Sequence, residues 1–314
     1  MNRYAVLISP RAEAAFFAQA REVAQAELAG VEGLGAAQLR QHGPLQFLEL
    51  EAPPERLQEL ARLACIQGIF EPDGDLMRPL DAGPEFQLHP DFVWGEKYRG
   101  KTNETLTQLL INLALQTTGK HAEDCTLLDP MCGRATSLLW AMRYGMRAVG
   151  VDQDGTIHRD LNRSLKKWTK LHRQSHKIQE GWINRTNKRG TGKSFDFTAG
   201  GPSMRVVIGD TADTHDLTLR KPFDLLVTDL PYGIEHRAGR DTRSPLEVIE
   251  AAAPAWAKAL APGGAMAIAF NANLPKRAAL LGAFDGLGLN EVARPVAHRM
   301  SESILRDVLI LQKT

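Results

Sequence analysis

The chain contains no apolar run approaching the roughly eighteen residues that a membrane-crossing helix needs. Its first ten residues, Met1-Asn-Arg-Tyr-Ala-Val-Leu-Ile-Ser-Pro10, lack the charged start and apolar core of a secretion signal and run straight into a strand-like segment. Cysteine is scarce: Cys65, Cys125 and Cys132 have neither the even count of a disulfide framework nor the paired spacing of a metal site. A soluble, cytoplasmic protein with reduced thiols and no metal is therefore expected. The three-glycine fingerprint that lets a backbone close on a pyrophosphate is also missing, which disfavours NAD and FAD. Gly190-Thr-Gly-Lys193-Ser194 superficially resembles a P-loop, but Asn187 stands where the first glycine is required and no buried strand precedes it, so ATP is excluded as well.

What is present is ordinary globular composition, 43% apolar and 24% charged over 314 residues, enough for one large or two ordinary domains. The net charge of +1 conceals a concentration: between Arg163 and Lys193 ten lysines and arginines face one acid, Glu180.

Residues 1–85 read as strand (Tyr4 to Ser9), helix (Glu13 to Leu28), strand (Leu45 to Ala52), helix (Pro54 to Cys65) and strand (Ile66 to Phe70), a small α+β unit of ferredoxin-like pattern. The Pro/Gly/Asp-rich stretch from Glu71 to Pro90 reads as a linker, and the domain division places the linker at 86–95. From 96 to 314 a helix over Glu104 to Gln116 is followed by strands at 126–129, 147–151, 205–208, 223–228 and 265–270, and then by an antiparallel pair near 291–298 and 304–311. The alternation predicts an α/β fold, a mostly parallel Rossmann-like sheet with helices on both faces, closed by a C-terminal antiparallel hairpin. The basic insertion occupies 163–200 and reads either as a solvated, mobile insertion or as a contact for RNA.

Four predicted strands end in acids. Leu127-Leu-Asp129-Pro130-Met-Cys132-Gly133 stops at a carboxylate and turns through a glycine into a helix, a turn suited to a positively charged group without phosphates, such as the ammonium of S-adenosylmethionine (SAM). Val149-Gly-Val-Asp152-Gln153-Asp154 places Asp152 against ribose hydroxyls, with Asp154 as a helix cap. Val207-Ile-Gly-Asp210-Thr211 offers Asp210 either to an adenine amine or to its own turn. Phe223-Asp-Leu-Leu-Val-Thr228 leads into Asp229-Leu230-Pro231-Tyr232-Gly, a carboxylate, a carbonyl in a proline-stiffened turn and an aromatic ring that can hold a planar amine by edge and face.

In this order and spacing, Asp-Pro-Met-Cys-Gly, Gly-Val-Asp, Gly-Asp and Asp-Leu-Pro-Tyr resemble the class I SAM-dependent methyltransferases that act on exocyclic nucleobase amines. More narrowly, residues 96–314 are similar to the tRNA guanosine-N2 methyltransferases whose archaeal and eukaryotic members usually carry an RNA-binding THUMP domain, although residues 1–95 have no evident room for a full one. The resemblance implies SAM held by Asp129, Pro130, Cys132, Gly133, Asp152, Gln153, Asp210 and Thr211, and a catalytic turn of Asp229, Leu230, Pro231 and Tyr232. It implies RNA, in particular tRNA, as partner. Adenine-N6 or another rRNA or DNA base amine is an alternative target, and a non-catalytic RNA-binding protein on a vestigial fold is an alternative of another class.

Lys166, Lys167, Lys170, Arg173 and Trp182 interleave cations with an aromatic ring, a composition that neutralises phosphates and stacks bases. His236 follows the catalytic turn and reads either as a substrate contact or as a surface histidine.

Overall fold

The computed structural model describes residues 1–83, 86–97, 101–183, 192–231, 244–300 and 304–314. The chain divides into two units, Met1–Glu85 with Arg294–Val308 and Phe86–Ala293 with Leu309–Thr314. Among the described residues no helix is long and apolar enough to cross a membrane.

The first unit contains β1 (Asn2–Ile8), α1 (Pro10–Phe16), α2 (Ala20–Leu28), β2 (Gln38–His42), β3 (Leu45–Ala52), α3 (Leu57–Ala61), β4 (Ile66–Asp73) and β5 (Leu76–Leu80). Its antiparallel sheet has the order β2-β3-β1-β4-β5, the ferredoxin-like arrangement with one strand added at the edge. Pairing runs further than the sequence patterns indicated: β4 and β5 occupy part of the stretch expected to be linker, joined through Gly74, whose φ of +58° is the conformation a tight hairpin turn demands. The single helix expected over 13–28 is broken at Phe17, which sits at φ +49°. Glu27, wholly buried, is stabilised by the backbone N–H groups of Ala64 (2.8 Å) and Cys65 (3.0 Å), and burial together with this carboxylate drives the Cys65 thiol well above its ordinary pKa.

The second unit continues with α4 (Asp91–Trp94), α5 (Glu104–Thr118), β6 (Thr126–Asp129), α6 (Thr136–Arg143), β7 (Arg147–Asp152), α7 (Ile157–Leu171), β8 (Lys177–Ile183), β9 (Gly192–Thr198), β10 (Ser203–Ile208), α8 (Thr214–Leu217), β11 (Phe223–Asp229), α9 (Pro245–Ala259), β12 (Leu260–Asn271), α10 (Arg277–Gly282) and β13 (Leu289–Glu291). Last come β14 (His298–Arg299) and β15 (Leu305–Lys313), the latter crossing the boundary between units. The strand order is β13-β15-β12-β11-β6-β7-β10-β9-β8. From β6 the chain moves outward through β7 and β10, then returns to the other side of β6 through β11 and β12, and all these neighbours are parallel. This is the Rossmann-like sheet, with its switch in strand order between β6 and β11. The expected C-terminal pair is shorter than its pattern: residues 292–297, which include Pro295, form no strand, and of that pattern only β13 and β14 pair with β15, whose other neighbour is β12.

The described part of the basic insertion contains the end of α7 and two antiparallel strands, β8 and β9, that extend the sheet antiparallel to β10.

Apolar patterning explains the placement of the helices. α5 is buried continuously from Thr105 to Ala114 because it lies against β11 and β12. α9 begins with a reciprocal cap between Ser244 and Glu247, then Pro245 at the first position where a missing N–H costs nothing. Its Trp256 is fully buried in a cluster with Leu226, Ile268 and Phe284, and its indole N–H donates to the Thr211 hydroxyl at 3.1 Å. Replacing Trp256→Ala is expected to cost about 3–5 kcal/mol of stability, measurable as a lower urea midpoint at unchanged slope.

Candidate cofactor and substrate site

Register places the strand-end acids side by side. Asp152 pairs with Ile208 across β7 and β10, Asp129 with Gly150 across β6 and β7, and Leu128 with Leu226 across β6 and β11. Asp210, Asp152, Asp129 and Asp229 therefore follow one another along the carboxyl edge of four adjacent parallel strands. At about 4.8 Å per strand the row spans about 14 Å. Open α/β sheets bind ligands at this edge, beside the switch in strand order.

The turn after β6 is seated on β7. Cys132 donates its backbone N–H to Val151 O at 3.0 Å, and Gly133 donates to Asp152 Oδ2 at 2.8 Å. The close approach requires Gly150: a Cβ there would lie 2.6 Å from Cys132 Sγ and 2.7 Å from its Cβ. Gly133 itself adopts φ +48° with open space where a side chain would be. Asp152 is half-buried and accepts one N–H at each oxygen, from Gly133 and from Asp154 (2.9 Å), which leaves acceptor capacity for hydroxyl donors. Asp154 holds the Thr156 N–H and hydroxyl at 2.9 and 2.8 Å in the turn before α7, a capping arrangement.

Asp129 is buried, with Met131 N–H at 3.1 Å on Oδ1 and the Ser137 hydroxyl donating to Oδ2. Burial raises its pKa to about 7 against the opposing effect of these donors. Pro130 and Cys132 are buried beside it, and burial pushes the Cys132 thiol up, so it is no thiolate nucleophile. Gln153 is exposed. Asp210 is exposed and caps the next turn through Ala212 N–H at 2.9 Å, and the Thr211 hydroxyl is engaged by Trp256. Asp229 ends β11 half-buried; Leu230 is buried and donates its N–H to Ala269 O at 2.9 Å, and Pro231 is half-buried. Tyr232 and His236 lie outside the described residues.

The strand-end acids, together with an open glycine turn, form an acceptor-rich cradle. It fits a ligand that carries cations, hydroxyls and an amine but no phosphate, which is the chemistry of SAM.

The basic residues separate on folding. Lys166, Lys170 and Arg173 are exposed on and just after α7, whereas Lys167 pairs with Glu96 at 2.8 Å and lies over the Trp168 ring. Trp182 is 54% exposed on β8. Sequence reasoning passed over two α7 residues on the Lys166 side, His158 and Asn162, although their four-residue spacing toward Lys166 was readable. It also missed His89, Asp91 and His172, whose ligand-type atoms come within 4.8 Å of one another from positions far apart in the chain.

The Asp129 shift has a pH signature. An unfolded aspartate ionises near about 3.9, while folded Asp129 does so near 7. Between these values the folded chain keeps a proton that the unfolded chain has lost, so Asp129's contribution to stability falls as pH rises from about 4 to about 7 and is level above that. Asp129→Asn is expected to remove this slope, as read from denaturant unfolding at a series of pH values.

A family model described as RMKL-like, methyltransferase domain (UPF0020) matches residues 96–281, more than half of the chain. No curated protein's sequence matches. Solved structures of similar fold include TrmN from Thermus thermophilus (15% identity, 88% of this chain and 59% of that one, TM-score 0.41). A TehB-like SAM-dependent methyltransferase from Corynebacterium glutamicum aligns at 16% identity over 60% of this chain and 80% of that one, TM-score 0.37. The N-methyltransferase NodS from Bradyrhizobium japonicum aligns at 14% identity over 66% and 94%, TM-score 0.40. The match from residue 96 to 281 takes in all four strand-end acids, and the chain belongs to the RMKL-like methyltransferase domain family.

Proposed function

We propose that this methyltransferase modifies the exocyclic N2 amine of guanosine in RNA, with tRNA as the substrate. SAM is the methyl donor. When bound, it supplies an electrophilic methyl group on a sulfonium. The observation that carries the proposal is the position of Asp229-Leu230-Pro231 at the end of β11, beside the acceptor-rich cradle and at the switch in strand order.

In this reading Asp129, Pro130, Cys132 and Gly133 form the turn that receives the donor's amino-acid end, Asp152 and Gln153 face its ribose, and Asp210 and Thr211 flank its base. The N2 amine is a poor nucleophile because its lone pair is delocalised into the ring. The Asp229 carboxylate and the Leu230 carbonyl accept its two hydrogens, draw the nitrogen toward tetrahedral geometry and aim its lone pair. No strong base is required before attack, and the proton that the methylated nitrogen then sheds passes to the Asp229 carboxylate. The acceleration comes from positioning and from acceptors facing the positive charge that develops on nitrogen. The Leu230 N–H bond to Ala269 O and the Pro231 ring fix the turn, so these acceptors are preorganised. Tyr232 is the stacking surface for a base that, in a paired region, is first flipped out at a cost of about a few kcal/mol.

Asp229→Ala is expected to bind SAM with unchanged affinity and to transfer methyl to transcribed tRNA about 100-fold more slowly or worse. Calorimetry and labelled-methyl incorporation measure the two quantities, and near-normal transfer removes the mechanism. Nucleoside analysis of the wild-type product is expected to give N2-methylguanosine; N6-methyladenosine overturns the guanosine assignment and leaves the amine mechanism.

A further inference from the structure

A cleft of about 400 Å³ opens between α7 and the β8–β9 hairpin, lined by Gly155 and Glu180 together with six residues of consistent character. From α7 come His158, Arg159, Asn162, Arg163 and Lys166, which follow one another at helical spacing along one stripe. From β9 comes Lys193. Four cations thus face one acid. Glu180 lies 3.4 Å from Lys193, an exposed pair of small energetic weight. Arg159 approaches Asp160 at 3.7 Å, but that acid's closer partner is Arg134 at 2.8 Å. Among the described residues neither Arg163 nor Lys166 pairs with an acid.

Two polar groups in the cleft are buried. His158 is only 2% exposed, packed 5.6 Å from the Phe195 ring centroid, and its ring faces the Val206 carbonyl. Asn162 Oδ1 is buried without a donor. A buried polar atom left unpaired costs stability and calls for an explanation. Burial, and after it the facing Lys193, hold His158 below the ordinary histidine pKa against the opposing pull of the Val206 carbonyl, Glu180 and Asp196.

We propose that this cleft is a ribose-phosphate site for the RNA substrate, in which Arg159, Arg163, Lys166 and Lys193 hold a backbone phosphate and Asn162 Oδ1 accepts a hydrogen bond from a 2′-hydroxyl. The proposal rests on the RNA-methylation reading above and names how the substrate is held. A phosphate offers only acceptors, which suits the cations; Asn162 Oδ1 needs a donor, which the 2′-hydroxyl supplies and DNA does not. The neighbouring strand provides a stacking surface. Trp182 is the cross-strand partner of Lys193, so the exposed indole and the ammonium project from the same face of the hairpin. Register also sets the reach. Trp182, Lys193, Ile208 and Asp152 occupy one row across β8, β9, β10 and β7. The cleft thus opens at the sheet edge that bears the acids, with β9 four strands from β11. That is about 19 Å at 4.8 Å per strand, the length of about five or six stacked nucleotides.

The test is binding of transcribed tRNA, and of the same sequence as DNA, to the full chain by fluorescence anisotropy across a salt series. Arg163→Ala with Lys166→Ala, both at the cleft surface, is expected to weaken tRNA binding about tenfold and to flatten the slope of log affinity against log salt by about one, with SAM affinity unchanged. Asn162→Ala is expected to reduce the preference for RNA over DNA. Unchanged affinity and slope in the double variant overturn the site, and inorganic phosphate competing at concentrations that leave ionic strength constant overturns the RNA assignment in favour of a small anion. Wild-type protein that binds RNA through this cleft but yields no methylated nucleoside refutes the proposed function and leaves the site standing.

Discussion

The site depends on one close approach, the turn after β6 lying directly on β7 at Gly150. Any side chain at that position would collide with Cys132, and the turn would lift from the strand. With hydrogen there instead, Cys132 and Gly133 bond to Val151 and Asp152, and two strand ends become one surface. The turn carries a cost of its own. Ala135, fully buried, is held at φ +61°, in the left-handed region that an L residue occupies only when its surroundings insist. The packed turn, α6 and β7 together over-determine that conformation, which is how a short loop becomes a rigid cradle.

Charge is distributed along the same sheet edge in a way that the net value of +1 hides. Acids end the central strands, and cations gather where α7 meets the hairpin. The two regions differ in solvent access as well. Asp129 is buried deeply enough that its carboxylate is expensive to ionise alone, so it favours a cation as neighbour. The lysines and arginines of the cleft are exposed, which suits them to a polyanion that arrives from solution.

Much of the central sheet was legible because its strands are short apolar runs that stop at acids, a pattern that burial on both faces imposes. Asp129, Asp152, Asp210 and Asp229 could each be assigned to a strand end for that reason. The hairpin was not legible. β8 reads Lys-Ile-Gln-Glu-Gly-Trp-Ile and buries only Ile183, so as an edge strand it has little alternation to announce it. β9 buries Phe195 and Phe197 but sits inside a run of basic and glycine residues that looks like solvated loop. His158 was hidden for a related reason: on an amphipathic helix rich in arginine and lysine, a lone histidine reads as surface, and only the packing of Phe195 shows that it is buried. The Phe17 break within the first helical pattern has no sequence signal, since phenylalanine rarely adopts positive φ.

The hairpin also alters what the parallel sheet can do. A Rossmann-like sheet that ended at β10 would leave that strand as an open edge and would place no side chains beyond Asp210. Adding β9 and β8 in antiparallel register covers the edge and carries the row containing Asp152 outward through Ile208 to Lys193 and Trp182. Side chains on that row are separated by backbone hydrogen bonds, whose spacing does not vary with rotamer or solvent. The backbone spacing between Asp152 and Lys193 is therefore fixed by the ladder itself. On the function proposed here, that fixed spacing lets a polar, weakly patterned insertion act as a measuring element for a flexible polynucleotide, because the rigidity resides in the strands and not in the long side chains they display.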